Sequence, residues 1–165
     1  KFQNIQKTFC SIFPTVSAIK ISAQETIKGF SSTPSLKVSI KEKGVSSPVP
    51  QERISNGMLK TLFLIAEIQL MEPGSVFVID EFENGLGINC IDILTDEILD
   101  PTNGIQFIIT SHHPYIINNV PVMNWKVIKR FKGEILNYSP EELGIGNSKH
   151  DAFMQLLNSS VYNPR

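Results

Sequence analysis

The stretch "VFVIDEFENGL", residues 76–86, decides the fold of this chain. Its first four residues are apolar and lead directly into two acids, Asp80 and Glu81. Continuous apolar runs are typical of strands in parallel sheets that are covered on both faces. We therefore expect a buried strand here. A buried carboxylate is costly unless another group pairs with it, so the two acids at the end of this strand need partners.

The segments that follow extend this strand into a parallel sheet. Residues 90–99, "CIDILTDEIL", have the periodicity of an amphipathic helix, and residues 104–110, "GIQFIIT", form a second apolar strand. Strand, helix and strand make a right-handed βαβ unit. The second strand also ends in polar residues, "TSHH" at 110–113. Ligands bind outside the carboxyl ends of parallel strands, so we expect the polar tips to form a metal–phosphate site. The structural alternative is that Asp80 caps a turn and His112 caps a helix.

A long helix precedes the first strand. Residues 54–74, "ISNGMLKTLFLIAEIQLMEPG", predict a helix that begins near Ser55 and ends at the Pro-Gly pair at 73–74. Its apolar residues cover most of its surface, which is typical of a helix packed on several sides. Ser55 and Asn56 are N-cap types, and Gly57 lets a ligand approach the backbone. The N–H groups at a helix N-terminus suit a phosphate, although a plain N-cap is the simpler explanation for this segment alone.

The rest of the chain predicts smaller elements around this core. Turn-forming residues indicate loops over residues 29–35 and 45–53. Apolar periodicity indicates further strands and helices, and Lys132-Gly133 joins two strands in a hairpin. These elements are a helix over residues 1–12, strands over 15–22 and 36–44, a short helix over 114–119, the hairpin over 124–138 and a helix over 151–158.

Length and composition exclude several classes of protein. A chain of 165 residues, 41% of them hydrophobic, suits one compact domain with a real core. A net charge of -1 creates no overall field that would attract nucleic acid or an anionic membrane. Cys10 and Cys90 form no CxxC motif, which argues against a zinc site and against a disulfide-stapled secreted fold. Without a signal peptide or an apolar run of about 20 residues, we expect a cytoplasmic protein with no membrane partner.

Taken together in this order and spacing, the three motifs resemble those of ABC-type ATPases. Residues 54–68, "ISNGMLKTLFLIAEI", look like the signature motif, and "VFVIDEFENGL" looks like the Walker B strand, catalytic glutamate and following loop. Residues 107–117, "FIITSHHPYII", look like the switch-histidine strand. The residues of these motifs are most similar to those of AAA-domain ABC ATPases of the OLD-like and SMC-like group. The resemblance implies an α/β fold of the P-loop NTPase type, with a parallel core sheet, flanking helices and an antiparallel hairpin.

The same resemblance implies roles at an ATP site. Asp80 would hold Mg²⁺ through water, Glu81 would act as general base on the attacking water, and His112 would sense the γ-phosphate. Phosphoryl transfer needs this combination of charge neutralisation and an oriented water. The residues that would contact the γ-phosphate of ATP held by the opposite subunit are Ser55, Asn56 and Gly57, and those that would lie at the dimer interface are Glu83, Asn84, Gly85 and Leu86.

Departures from the family pattern concern loop geometry more than chemistry. Family members often have proline where Phe82 stands, and His-Pro where Gly87-Ile88 stands. Asn56 and Met58 also differ from common signature choices. The two acids, the serine, the glycine and the histidine are all present. The departures therefore remove none of the residues that the implied chemistry needs.

The sequence contains no G-x-x-x-x-G-K-[ST] phosphate loop. In the resembled family that loop precedes the signature, and this chain begins without methionine inside a predicted helix. We therefore expect the C-terminal half of an ATPase head: pre-signature residues 1–53, signature, Walker B and switch residues 54–120, and hairpin and helix residues 121–165. Its expected partners are ATP, a second copy of the chain and the missing N-terminal lobe. By resemblance it would drive DNA-associated work or defence against phage.

Three alternatives stay open. The lobe could be a nucleotide-gated dimerisation clamp without turnover. The acids and histidines at the strand tips could instead form the transition-metal site of a hydrolase, although the signature helix would then be unexplained. A basic hairpin with aromatics could bind nucleic-acid backbone, but a solvated edge hairpin protected by lysines is favoured; its residues are Trp125, Lys126, Lys129, Arg130, Phe131 and Lys132.

Overall fold

A computed structural model of the protein describes residues 1–28, 31–146, 149–159 and 161–162. The chain divides into two compact units. The first comprises Lys1–Phe77 and Asn84–Gln106, and the second comprises Val78–Glu83 and Phe107–Arg165. No helix in the described part of the chain is long and apolar enough to cross a membrane.

Three helices form the core of the first unit. They are α1 (Phe2–Ile12), α2 (Asn56–Leu70) and α3 (Ile88–Leu99), and each contacts the other two. All three confirm predicted helices, because apolar residues at helical spacing lie on their packed faces. As expected for a helix packed on several sides, α2 contacts both α1 and α3, although its Phe63 and Leu70 are exposed. The buried side chains of these helices include Ile5, Phe9, Ile12, Leu62, Ile65, Ile68, Ile91 and Leu94.

An antiparallel sheet in the same unit contains β1 (Val16–Lys28), β2 (Ser31–Glu42) and β3 (Val49–Pro50), in that order. Two loop predictions are corrected here. The strand β2 already begins at Ser31, so only residues 29–30 of the predicted 29–35 loop remain, and they lie outside the described residues. Among the described residues, β3 pairs only with Ser39 and Ile40 of β2, so Pro34 lies in a part of β2 that pairs with β1 alone, and proline is tolerated in edge positions.

The second predicted loop, over residues 45–53, also contains regular structure. Besides β3 it includes a 3-10 turn, Gln51–Arg53. The Gln51 side chain accepts a hydrogen bond from the backbone N–H of Val38 at 3.1 Å. Side-chain bonds of this kind give no periodic signal, which is why sequence reasoning took the segment for a loop.

Strands β4 (Val76–Ile79) and β5 (Gln106–Ile109) form the predicted two-stranded parallel sheet. The backbone N–H of Gln106 donates to Ser75, and four residues later that of Thr110 donates to Ile79, so both strands run in the same direction. The expectation of burial on both faces is wrong for the described chain. Alternate residues face outward, and the exposed fractions are 52% for Val76, 66% for Val78 and 51% for Ile108.

The second unit continues with two helices and a hairpin. They are α4 (Pro114–Asn119), β6 (Val127–Phe131), β7 (Glu134–Tyr138) and α5 (Lys149–Asn158). The antiparallel pair β6–β7 confirms the predicted hairpin, and Lys132 and Gly133 at its turn have φ of 48° and 89°. A small apolar cluster beside it buries Val122, Trp125, Ile145, Ala152 and Leu156.

Candidate active site

Thr110, the residue after β5, binds the three residues that follow β4. Its hydroxyl donates to Asp80 Oδ1 at 2.5 Å and accepts from the backbone N–H of Glu81 at 2.8 Å. The Thr110 carbonyl accepts from the backbone N–H of Phe82 at 3.0 Å. The two polar tips therefore meet, as the parallel sheet predicted. The sequence analysis places Thr110 among the polar residues of the tip but does not predict its hydrogen bonds to the acids; a hydroxyl residue that ends a strand beside an acidic tip is the available signal.

Asp80 and Glu81 are both exposed. The expectation that these acids are buried is wrong, because one face of β4 is open and its carboxyl end projects from the sheet. Asp80 finds its partner in the Thr110 hydroxyl, not by capping the turn. Glu81 has a φ of 47°, in the left-handed region that costs a residue with a side chain roughly 1 kcal/mol. Its bond to Thr110 compensates for this strain and fixes where the Glu81 side chain leaves the backbone.

Glu83 connects the same turn to the switch segment, residues 111–113. Its Oε1 accepts from the backbone N–H of His112 at 2.7 Å. Burial raises the pKa of the Glu83 carboxyl, but hydrogen bonds from its own N–H, from His112 N–H and from the Ser111 hydroxyl, with the His112 charge, outweigh burial and lower the pKa overall. Glu83 is therefore ionised at neutral pH. The His112 side chain remains exposed.

His113, rather than His112, caps the following helix. Its Nδ1 accepts from the backbone N–H of Tyr115 at 3.3 Å, at the first turn of α4. The alternative in which His112 is a helix cap is therefore wrong, and the two adjacent histidines have different environments. His113 is half-buried and caps the helix, whereas the His112 side chain is exposed.

In the first unit, the start of α2 is tied to residues 84–85. Ser55 is the N-cap, and its Oγ accepts from Met58 N–H at 3.3 Å, as the simpler explanation predicted. A Cβ on Gly57 would lie 3.0 Å from the Gly85 carbonyl oxygen, so this glycine has a packing reason as well as a possible ligand role. Lys60 Nζ donates to the Asn84 carbonyl. Asn56 is exposed and Leu86 is half-buried.

The oxygen atoms at the strand tips suit magnesium better than a transition metal. Asp80 and Thr110 offer hard oxygen ligands, and Mg²⁺ usually binds through one or two carboxylates together with waters and substrate phosphates. No group of three His, Cys, Asp or Glu side chains that could hold a metal ion occurs within the described ranges.

Comparisons with known proteins concern the family and the fold of the chain. Residues 5–118, more than half of the chain, match the family AAA_21, described as "AAA domain, putative AbiEii toxin, Type IV TA system". A solved chain from a study of ATP-driven dimerization and DNA-stimulated activation of SMC ATPases has a similar fold, with a TM-score of 0.58. It is 19% identical over 94% of this chain and 92% of that chain. The likeness confirms the mixed α/β fold with a parallel sheet and an antiparallel hairpin. No curated protein matches significantly.

Proposed function

Because this chain belongs to the AAA-domain family that matches residues 5–118, we propose that it forms the C-terminal half of an ABC-type ATPase head. Residues 1–53 would precede the signature, 54–120 would carry the chemistry, and 121–165 would complete the lobe. The phosphate loop that the sequence lacks would come from a separate N-terminal lobe. ATP bound between this chain and its partners would then be hydrolysed at the tips of β4 and β5.

One observation carries this proposal: Thr110 fixes Asp80 and Glu81 together at the carboxyl end of the parallel sheet. Mg²⁺, when bound with ATP, would supply charge neutralisation at the phosphates. Asp80 provides a carboxylate for the hydrated ion. Glu81, exposed and directed by its unusual φ, accepts a proton from the attacking water. His112 presents an exposed imidazole to the γ-phosphate.

The second half of the proposal is that two copies complete each ATP site. Ser55, Asn56 and Gly57 would approach the γ-phosphate held by the opposite subunit, since the N-terminus of α2 favours an anion. The dimer interface would include residues 83–86, of which Gly85 packs against Gly57 and Asn84 accepts a hydrogen bond from Lys60, both in the first five residues of α2. Support comes from the SMC ATPases of similar fold, whose structural study concerns ATP-driven dimerization.

The biological setting is proposed as a class of process and not as a specific effector. The family description names a toxin of a type IV toxin–antitoxin system, and the study of the similar SMC ATPases concerns DNA-stimulated activation. We propose that ATP turnover in this head drives a DNA-associated or phage-defence effector. A nucleotide-gated clamp without turnover uses the same surfaces, so the experiment below separates it from an ATPase.

The test measures phosphate release with and without a phosphate-loop lobe. The 165-residue chain alone should show no magnesium-dependent ATP turnover, because no residue in it can replace the lysine and amides of a phosphate loop. The chain joined to its own N-terminal lobe should hydrolyse ATP. Turnover by the isolated chain that Glu81→Gln abolishes would contradict the two-lobe account. ATP-dependent dimerisation of the joined protein without turnover would favour the clamp.

A further inference from the structure

We propose that Glu83 is a positioning residue for His112, acting inside one chain through the backbone of the switch segment. The resemblance assigns Glu83 only to a dimer interface. The structure instead shows its carboxylate directed at the chain's own switch segment, 2.7 Å from the His112 nitrogen.

The chemistry of this contact favours a stable hydrogen bond between the Glu83 carboxylate and the His112 N–H, which we call the Glu83 tether. Glu83 accepts as a carboxylate, since its hydrogen bonds outweigh the effect of burial, and charge-assisted hydrogen bonds are about twice as strong as neutral ones. Its other oxygen, Oε2, is buried and has no hydrogen-bond partner within the part of the chain described. Leaving a buried carboxylate oxygen unpaired is unfavourable. The carboxylate is therefore held through Oε1 by the His112 N–H, beside the Ser111 hydroxyl that also lowers its pKa.

The tether completes a continuous connection between the two strand tips. Thr110 binds Asp80, Glu81 and Phe82, and Glu83 binds His112 two residues further along. Each residue from 80 to 83 is thus joined to the segment 110–112. The Glu83 bond uses a backbone N–H, so the His112 imidazole keeps its own donor and acceptor for a ligand. Movement of the turn that bears Glu81 must therefore also move His112.

The tether is tested first without ATP, by amide hydrogen exchange in the whole protein. Glu83→Ala should increase exchange across residues 111–113, because the His112 N–H loses its acceptor. Glu83→Gln keeps a carbonyl oxygen at the same reach and should restore most of the protection. Glu83→Asp keeps the charge but is one methylene too short, so it should resemble Ala. Glu141→Ala, at an exposed glutamate outside the site, is the control.

Two results would overturn the tether. One is unchanged exchange at 111–113 in Glu83→Ala. The other is better protection in Glu83→Asp than in Glu83→Gln, which would mean that charge and not the acceptor position matters. If Glu83→Ala does not fold, the comparison of Asp with Gln still decides the question.

The kinetic consequence rests on the proposed ATPase function and is measured in the protein that includes the phosphate-loop lobe. Glu83→Ala should lower kcat about tenfold with KM within about twofold, because a displaced catalytic group slows chemistry more than it weakens binding. Glu83→Gln should recover most of the rate. An equal loss in both variants, or a loss confined to KM, would overturn the positioning role. If the unmodified protein hydrolyses no ATP, the proposed function fails, while the exchange result still decides the tether.

Discussion

The two motif regions of this chain are built in different ways. At the start of α2, the hydrogen bond of the cap is local, because Ser55 Oγ accepts from the N–H of Met58 three residues further on. Gly57, in contrast, packs against a distant residue, Gly85. At the strand tips, the hydrogen bonds that hold the acids join residues about 30 positions apart, as in the bonds from Thr110 to Asp80 and Glu81. A local motif folds with its helix, whereas the tips exist only when the parallel sheet has formed.

The largest expected effect on stability comes from Thr110→Val, which removes one hydroxyl from the strand tips. Asp80 Oδ1 loses its donor and Glu81 N–H loses its acceptor, so we expect a loss of about 1–2 kcal/mol in the free energy of unfolding. Urea unfolding measures it. Turnover in the two-lobe protein should fall by at least tenfold, because Glu81 is no longer held at its left-handed φ.

Thr110→Ser is the matched control, since it keeps the hydroxyl and loses only a methyl group. It should retain most of the stability and of the turnover. If the Val and Ser variants lose stability and turnover equally, the hydroxyl does not organise the acids. The strand tips would then not depend on the long-range bonds of Thr110, and the contrast with the start of α2 would be lost.

A smaller effect is expected at Gly57. Replacing a helical glycine by alanine usually stabilises a protein by up to about 1 kcal/mol. Here the new Cβ would lie 3.0 Å from the Gly85 carbonyl oxygen, so the loop must shift. We therefore expect Gly57→Ala to lower the free energy of unfolding by roughly 0.5–1 kcal/mol. Asn56→Ala, at the adjacent exposed position, should be close to neutral. If Gly57→Ala instead stabilises the protein by about 1 kcal/mol, the usual gain for alanine over glycine in a helix, the Gly85 carbonyl does not restrict this position.

The same contrast explains what the sequence could predict. Elements with local signals were found: α2 with its Ser55 cap, the parallel strands β4 and β5, and the hairpin turn at Lys132-Gly133. The α/β fold class followed from them. The early start of β2 was missed, because pairing with β1 overrides the turn preference of its Ser, Thr and Pro residues.

Within the site, residue identity was more predictable than residue contact. The acids and His112 were chosen from motif type, and the structure places them on segments that meet. The bonds of Thr110 and Glu83 were not predicted, because a contact across 30 residues leaves no periodicity in the sequence. The contact between Gly57 and Gly85 was missed for the same reason, although glycine at both positions was visible.

The most direct test of the central claim is Glu81→Gln in the protein that includes its phosphate-loop lobe. Glutamine keeps the size of the side chain and the Thr110 bond to the backbone, but it cannot accept a proton from water. Phosphate release should fall by at least a hundredfold, while ATP binding and ATP-dependent dimerisation persist. Turnover within twofold of the unmodified protein would contradict the claim that these strand tips carry the chemistry.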